Sequence, residues 1–261
     1  MNNNKNDFTE VTEVSGDDVS QEQIERMCER YFWAGGYCKE KDVLEAACGA
    51  GQGIGYLQNL SNDFEAGDYS EALVNIAKKH YDKRANIFQF DAQEIPKEDN
   101  SLDVIILFEA LYYIPDAQKF VKECKRLLRP NGVVLIATAN KDLFDFNPSP
   151  HTFKYYGVVE LEDLFNKHGF KCDFFGGTPI AEVSWKQKIL RPIKKLVISL
   201  NLMPKTMAGK KLIKQLVFGK LVPLPAEISA ETAQYTPPTK LPNSVADCGY
   251  KVIYCAAKLN S

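Results

Sequence analysis

Apolar residues alternate between two rhythms along this chain. Residues 43–48, 64–67, 85–90, 102–108 and 133–139 read as short strands, and 102–108 is almost wholly apolar, the pattern of a strand covered on both faces. Between them the spacing becomes helical. A helix begins at Gly53, a second is capped by Ser70, and a third over 116–128 repeats Phe120, Val121, Cys124, Leu127 and Leu128 before Pro130 stops it. A turn at Asn131-Gly132 then leads into the fifth strand. Repeated strand-helix units of this length predict a parallel, doubly wound α/β sheet, completed by a helix over 159–168 and strands over 170–175 and 250–257. In such a sheet the ligand lies beyond the strand C-termini. Gly49 to Gly53, Asp68, Asp91, and Glu109 with Tyr112 all fall there.

The flanking regions read differently. Residues 1–18 are polar and acidic and predict a mobile tail. From Ser20 a short helix carries Ile24, Met27 and Cys28 on one side and runs into the aromatic cluster Tyr31-Phe32-Trp33-Ala34-Gly35-Gly36-Tyr37, which suits either the core or a lid over the ligand cleft. The cofactor-binding core is expected over 19–180, an insertion over 181–247, and the last core strand within 248–261. Inside the insertion, residues 186–220 carry ten Lys or Arg and no acid, with Ile and Leu at helical spacing, predicting a basic amphipathic helix pair. Prolines 223, 225, 237, 238 and 242 predict extended chain after it.

Composition narrows the class of protein. In 261 residues, 45% hydrophobic and 25% charged, there is material for one main core. A net charge of -2 gives no general reason to expect nucleic-acid binding. Seven cysteines without a CxxC pair, four of them in apolar segments, read as reduced core thiols; three dispersed histidines predict no metal site. With no cationic-then-apolar leader and no long uncharged apolar run, the expected localisation is cytoplasmic.

The glycine-rich stretch over 43–55 carries the first chemistry. A strand entering Gly49-Ala50-Gly51-Gln52-Gly53 makes a tight turn whose backbone can approach a cofactor closely. The dinucleotide fingerprint G-x-G-x-x-G requires glycine at position 54 or 56, where Ile54 and Tyr56 stand, and no Gly-Lys-Ser/Thr follows to make a phosphate loop. Several segments in order, Glu45 with Ala47 to Gly53, Gly67-Asp68-Tyr69-Ser70, Phe90 to Pro96, Phe108-Glu109-Ala110-Leu111 and Leu127 to Val133, resemble the motifs of class I S-adenosylmethionine-dependent methyltransferases.

That resemblance implies a Rossmann-like methyltransferase fold: a mostly parallel seven-stranded sheet with a helical insertion before the last strand. It also implies S-adenosyl-L-methionine as cofactor. Asp68 would accept from both ribose hydroxyls, and Asp91 from the adenine amino group with Ala92 supplying a backbone N–H. Glu45 would hold the loop or the methionyl amine, while Phe108 and Glu109 line the methionine end and Tyr69 packs on the nucleoside. Tyr31, Ala47, Gly49 and Gly51 complete the expected cofactor site.

Methyl transfer is mainly alignment, with a base useful for a hydroxyl acceptor. His151, in the aromatic loop over 140–151, is the candidate base and Tyr113 a candidate catalytic partner; a fixed loop hydrogen bond is the alternative for His151. Tyr112, Asp142, Asp145 and Asn147 could orient a polyhydroxylated acceptor. The expected reaction is O-methylation of a sugar-containing or other secondary metabolite. N- or C-methylation, a lipid-linked acceptor, and a non-catalytic binding protein on the same scaffold are the alternatives. The basic insertion fits peripheral contact with an anionic membrane, recognition of phosphates, or a solvated cap on the sheet.

Overall fold

A computed structural model describes residues 8–149, 151–180 and 221–260, and the expected basic helix pair over 186–220 lies outside them. The chain runs through β1 (Asp18–Ser20), α1 (Gln21–Cys38), β2 (Asp42–Ala46), α2 (Ile54–Gln58), β3 (Asp63–Asp68), α3 (Glu71–Tyr81), β4 (Asn86–Gln89) and β5 (Leu102–Phe108). It continues through α4 (Ala117–Leu127), β6 (Leu128–Ala139), α5 (Val158–Asn166), β7 (Phe170–Pro179), β8 (Leu221–Pro223), β9 (Thr239–Leu241) and β10 (Tyr250–Leu259).

The main sheet has eight strands in the order β4-β3-β2-β5-β6-β10-β7-β9. The first five are parallel, while β10 runs antiparallel to both β6 and β7, and β9 runs antiparallel to β7. The expectation of seven mostly parallel strands is thus corrected to eight in a mixed sheet. A parallel return needs a crossover, usually helical. The chain re-enters the sheet reversed, β9 and β10 each pairing antiparallel with β7. The extra edge strand is only three residues long, pairing Leu241 with Phe174. It is too short for its sequence to announce it.

Helices cover both faces, which explains the unbroken apolar runs. Val104 and Ile106 of β5 face the layer of α1, α2 and α3, whereas Ile105 and Leu107 face α4 and α5. Beside β5, the turn foreseen at Asn131-Gly132 is an irregularity within β6. Leu102 pairs with Leu128 but Val104 with Val133, and Asn131 takes φ +66° at the step.

Two parts of the N-terminal region depart from the sequence pattern. Helix α1 does not end before the aromatic cluster but continues through it to Cys38. Ser20 and Gln23 form its capping box, the Gln23 amide donating to Ser20 Oγ at 3.3 Å and the Ser20 amide to Gln23 Oε1 at 2.9 Å. Phe32 and Trp33 belong to the core, with Trp33 5.0 Å from Tyr254 and 6.0 Å from Phe175 between ring centroids. Core packing, rather than a lid, is their role.

Residues 8–17, expected as tail, are folded against the body. Strand β1 pairs with β8, the Gly16 amide donates to the Leu224 carbonyl and the Leu224 amide to Asp17, both at 2.9 Å. The ladder partner lies some two hundred residues away, out of reach of any local pattern. All seven cysteines are unpaired and six are buried. No described helix is long and apolar enough to cross a membrane.

Ser20 fixes where α1 starts and hence the height of Tyr31 above the glycine turn. Ser20→Ala is expected to cost about 1 kcal/mol of unfolding free energy in a urea titration.

Candidate active site

At the C-terminal ends of the parallel strands the glycine turn opens onto a cavity of about 690 Å³. Three residues of the turn are left-handed: Ala47 at φ +67°, Gly49 at +57° and Gly51 at +89°. Gly51 is required on two grounds. A side chain would be strained at that φ, and its Cβ would lie 3.1 Å from Ala77 Cβ and from Ile54 Cδ1. The Tyr81 hydroxyl locks the turn from below, donating to the Gly51 carbonyl at 2.9 Å and accepting from the Gly55 amide at 3.1 Å. At Gly53 a Cβ would fall 2.0 Å from the Tyr31 ring, so its absence lets Tyr31 cross the turn.

Asp68, at the end of β3, is buried at 7% exposure. Its Oδ2 accepts from the Gly49 amide and its Oδ1 from the Ser70 amide, both at 2.9 Å. Burial raises its pKa, and the hydrogen bonds from Ser70, Gly49 and Tyr69 oppose the rise. Each oxygen keeps acceptor capacity toward the cavity.

Behind the turn, Tyr31 donates to Glu45 Oε1 at 2.7 Å, while Glu45 Oε2 is buried without a partner among the described residues. Burial is the largest influence on Glu45 and pushes its pKa up to about 7, against the Tyr31 hydrogen bond and the Arg30 charge. Phe108 packs edge-on to Tyr31, 5.5 Å between centroids. Next to it, Glu109 is held at φ +50°. Its Oε2 accepts from the Tyr112 hydroxyl at 3.0 Å, and its Oε1 lies 3.5 Å from Arg30 Nη1.

Asp91 makes its own turn, Oδ1 accepting from the Gln93 amide at 2.8 Å and from Gln93 Nε2 at 3.1 Å. Gln93 Oε1 in turn accepts from the Asp116 amide at 3.1 Å, tying this wall of the cavity to the cap of α4.

Of the residues foreseen for the site, Tyr31, Ala47, Gly49, Asp68, Tyr69, Asp91, Ala92, Phe108, Glu109 and Tyr113 line this one cavity. Glu45 and Gly51 stand behind the lining and support it. His151 is not brought there: it is exposed, at φ +64°, and absent from the cavity wall. Its loop reaches the site otherwise, through Phe153 in the wall and Ser149 Oγ, 2.9 Å from the Tyr113 hydroxyl. Asp142 is occupied within the loop, bonded to Lys141 at 2.6 Å, and Asp145 and Asn147 are exposed. Among the described residues no group of three His, Cys, Asp or Glu is placed to hold a metal ion.

Several lining residues escaped the sequence reading. Arg26 and Arg30 stand four residues apart on α1, off the side that carries Ile24, Met27 and Cys28, and read as part of its solvent face. Phe8, Val11, Thr12 and Glu13 arrive from the N-terminal segment, with Phe8 5.2 Å from Tyr113 and 6.2 Å from Tyr69. Nothing local marks them, because their place depends on the distant pairing of β1 with β8.

The donor set fits S-adenosylmethionine. A carboxylate stands at the end of β3, a left-handed glycine turn gives close backbone approach, and the orphaned Glu45 oxygen lies behind that turn. The comparisons agree: residues 44–136 match the family model of the methyltransferase domain. Over those residues the chain is similar to methyltransferase domains. A probable S-adenosylmethionine-dependent methyltransferase of Mycolicibacterium smegmatis is 33% identical over 154 residues, 56% of this chain and 60% of that protein. The ubiquinone biosynthesis O-methyltransferase of Coxiella burnetii is 28% identical over 49% of this chain and 53% of its own. The chain therefore spans less than two thirds of these curated relatives. A solved methyltransferase of Thermotoga maritima, a possible histamine N-methyltransferase, shares the fold at TM-score 0.57 and 13% identity, over 90% of this chain and 91% of its own.

Glu45 gives the ligand-free protein a pH signature. Its ordinary value is 4.5 and its folded value about 7, so the folded state keeps a proton that the unfolded chain releases. Its contribution is full below pH 4.5 and is lost as pH rises to about 7. Denaturant titrations across this window should show stability declining in the wild type, and a flatter profile in Glu45→Gln.

Proposed function

We propose that this protein transfers a methyl group from S-adenosylmethionine to a hydroxyl of a small acceptor, a sugar-containing or other secondary metabolite. The observation that carries the reading is one cavity lined both by Asp68 and the glycine turn and by Glu109, Tyr112 and Tyr113. When bound, S-adenosylmethionine supplies a methyl group activated by a sulfonium. The chain's own residues do the rest by placement.

Asp68 receives the ribose hydroxyls, Asp91 and the Ala92 amide the adenine edge, and Tyr69 covers the nucleoside. Toward the acceptor, Glu109 already accepts from the Tyr112 hydroxyl and has room for a second donor on the same carboxylate. It is the base-capable group in the cavity wall nearest the tyrosine pair, and it takes the place expected for His151. Tyr113, steadied by Ser149, orients the acceptor. Aromatic rings from Phe8, Tyr112, Tyr113 and Phe153 exclude water and offer flat faces to a ring-shaped acceptor. The named O-methyltransferase among the relatives supports oxygen as the attacked atom.

Incubation with S-adenosylmethionine labelled in the methyl group and a small-molecule extract is expected to yield a labelled O-methylated product. Transfer to nitrogen alone would move the acceptor class, and absence of transfer by protein that binds the cofactor would overturn the reaction. Asp68→Ala should weaken cofactor binding by at least tenfold in calorimetry, since hydrogen bonds to a charged group contribute about 1.5–3 kcal/mol.

A further inference from the structure

Of the alternate glycines after β2, Gly49 and Gly51 take left-handed conformations and Gly53 makes room for Tyr31, which leaves Gly55 without a role. Gly55 is buried within α2 and is not left-handed, a place where alanine is the better helix former. Its missing side chain admits a carboxylate. A Cβ at Gly55 would fall 1.7 Å from Glu227 Oε1 and 2.6 Å from the Glu227 carboxyl carbon.

Glu227 belongs to a segment strapped onto the glycine turn. Leu224 and Ile228 anchor that segment as buried residues, and the Ile228 amide donates to the Gln52 carbonyl at 2.9 Å. Between them, Glu227 Oε2 gathers two basic side chains from the end of α3 and the turn beyond it: His80 Nε2 lies 3.0 Å away, and Arg84 Nη2 donates at 3.1 Å. Burial acts to raise the Glu227 carboxyl, but His80 and Arg84 outweigh it and hold the group below its ordinary value. Both basic groups pack on one ring. The Arg84 guanidinium stands over Tyr81, 4.7 Å from the ring centroid, and the His80 ring meets Tyr81 edge-on, 4.7 Å between centroids. Tyr81 is the residue whose hydroxyl holds the Gly51 carbonyl and the Gly55 amide.

These contacts close on themselves: Gly55 admits Glu227, Glu227 gathers His80 and Arg84, they fix the Tyr81 ring, and Tyr81 returns to Gly55. We propose that Glu227 is a positioning residue for the glycine turn, acting through His80, Arg84 and Tyr81 to keep residues 51–55 in the conformation that receives S-adenosylmethionine. Partly exposed ion pairs contribute little to global stability, so the effect is local. A turn already held in its bound conformation costs the ligand less to order. The proposal rests on the methyl-transfer reading only in naming that ligand. It places part of the control of cofactor affinity in a segment outside the residues 44–136 that match the methyltransferase domain.

The test compares the full-length wild type with Glu227→Gln, Gly55→Ala and the double variant, by calorimetry with S-adenosylhomocysteine and by amide hydrogen exchange of the ligand-free protein. Glu227→Gln removes the charge, whereas Gly55→Ala keeps Glu227 and displaces its carboxylate. Each single variant is expected to lose about fivefold in affinity and to exchange roughly tenfold faster over residues 49–58, with β5 and β6 as protected as in wild type. The double variant is expected to lose no more than either single one, because both remove the same contact. Wild-type affinity and exchange in Glu227→Gln, or losses that multiply in the double variant, would overturn the proposal. If Gly55→Ala does not fold, Tyr81→Phe takes its place: without the hydroxyl the Glu227→Gln effect should shrink to less than about twofold, and its persistence would overturn the proposal equally. Faster exchange over 49–58 in Glu227→Gln, in a protein whose wild type does not bind S-adenosylhomocysteine, would support the clamp on the turn and remove the methyl-transfer reading.

Discussion

Asp68 holds the amides of Gly49 and Ser70 on the two oxygens of one buried carboxylate, and through them joins the turn after β2 to the start of α3. The left-handed conformations at Ala47, Gly49 and Gly51 need such an anchor, because a turn of this kind has few contacts of its own. Tyr81 supplies the second anchor from α3, and Tyr31 crosses the turn where Gly53 leaves space. Strand ends, helix starts and cavity wall are therefore parts of one hydrogen-bonded unit. A change at Asp68 acts on the turn as well as on the ligand.

The same geometry divides labour between the two halves of the cavity. Beside the glycine turn the polar groups are carboxylates at the ends of parallel strands, set by the sheet. Elsewhere in the wall they come from α1, from the loop after β6 and from β10, segments whose placement the sheet alone does not determine. Glu109 lies at the junction, in a left-handed conformation that turns its carboxylate toward Tyr112 and Arg30. Its backbone is tied back to β6, the Glu109 amide donating to the Ala137 carbonyl at 2.8 Å, which keeps that orientation.

The part of the cavity wall at the strand ends was legible in the sequence because it is local. Each strand end carries its own marker, at Gly49, Asp68, Asp91 and Phe108-Glu109, and apolar runs located the strands to within a few residues. The part built from the N-terminal segment, α1 and the loops was not. Phe8 and Glu13 reach the cavity only because β1 pairs with β8, and β9 joins the edge through three residues that carry no period. His151 looked suited to the chemistry by residue type and loop position, but the loop presents Phe153 and Ser149 inward and leaves the imidazole exposed. Arg26 and Arg30 were hidden for the opposite reason: in a helix rich in buried residues, two arginines read as its solvent face.

The central claim is that the Asp68-anchored glycine turn holds S-adenosylmethionine and not a dinucleotide. Calorimetry of the wild-type protein with S-adenosylhomocysteine and, separately, with NAD tests it most directly. One equivalent of S-adenosylhomocysteine bound in the micromolar range, with no heat from NAD, is the predicted result. Binding of NAD in preference to S-adenosylhomocysteine would contradict it.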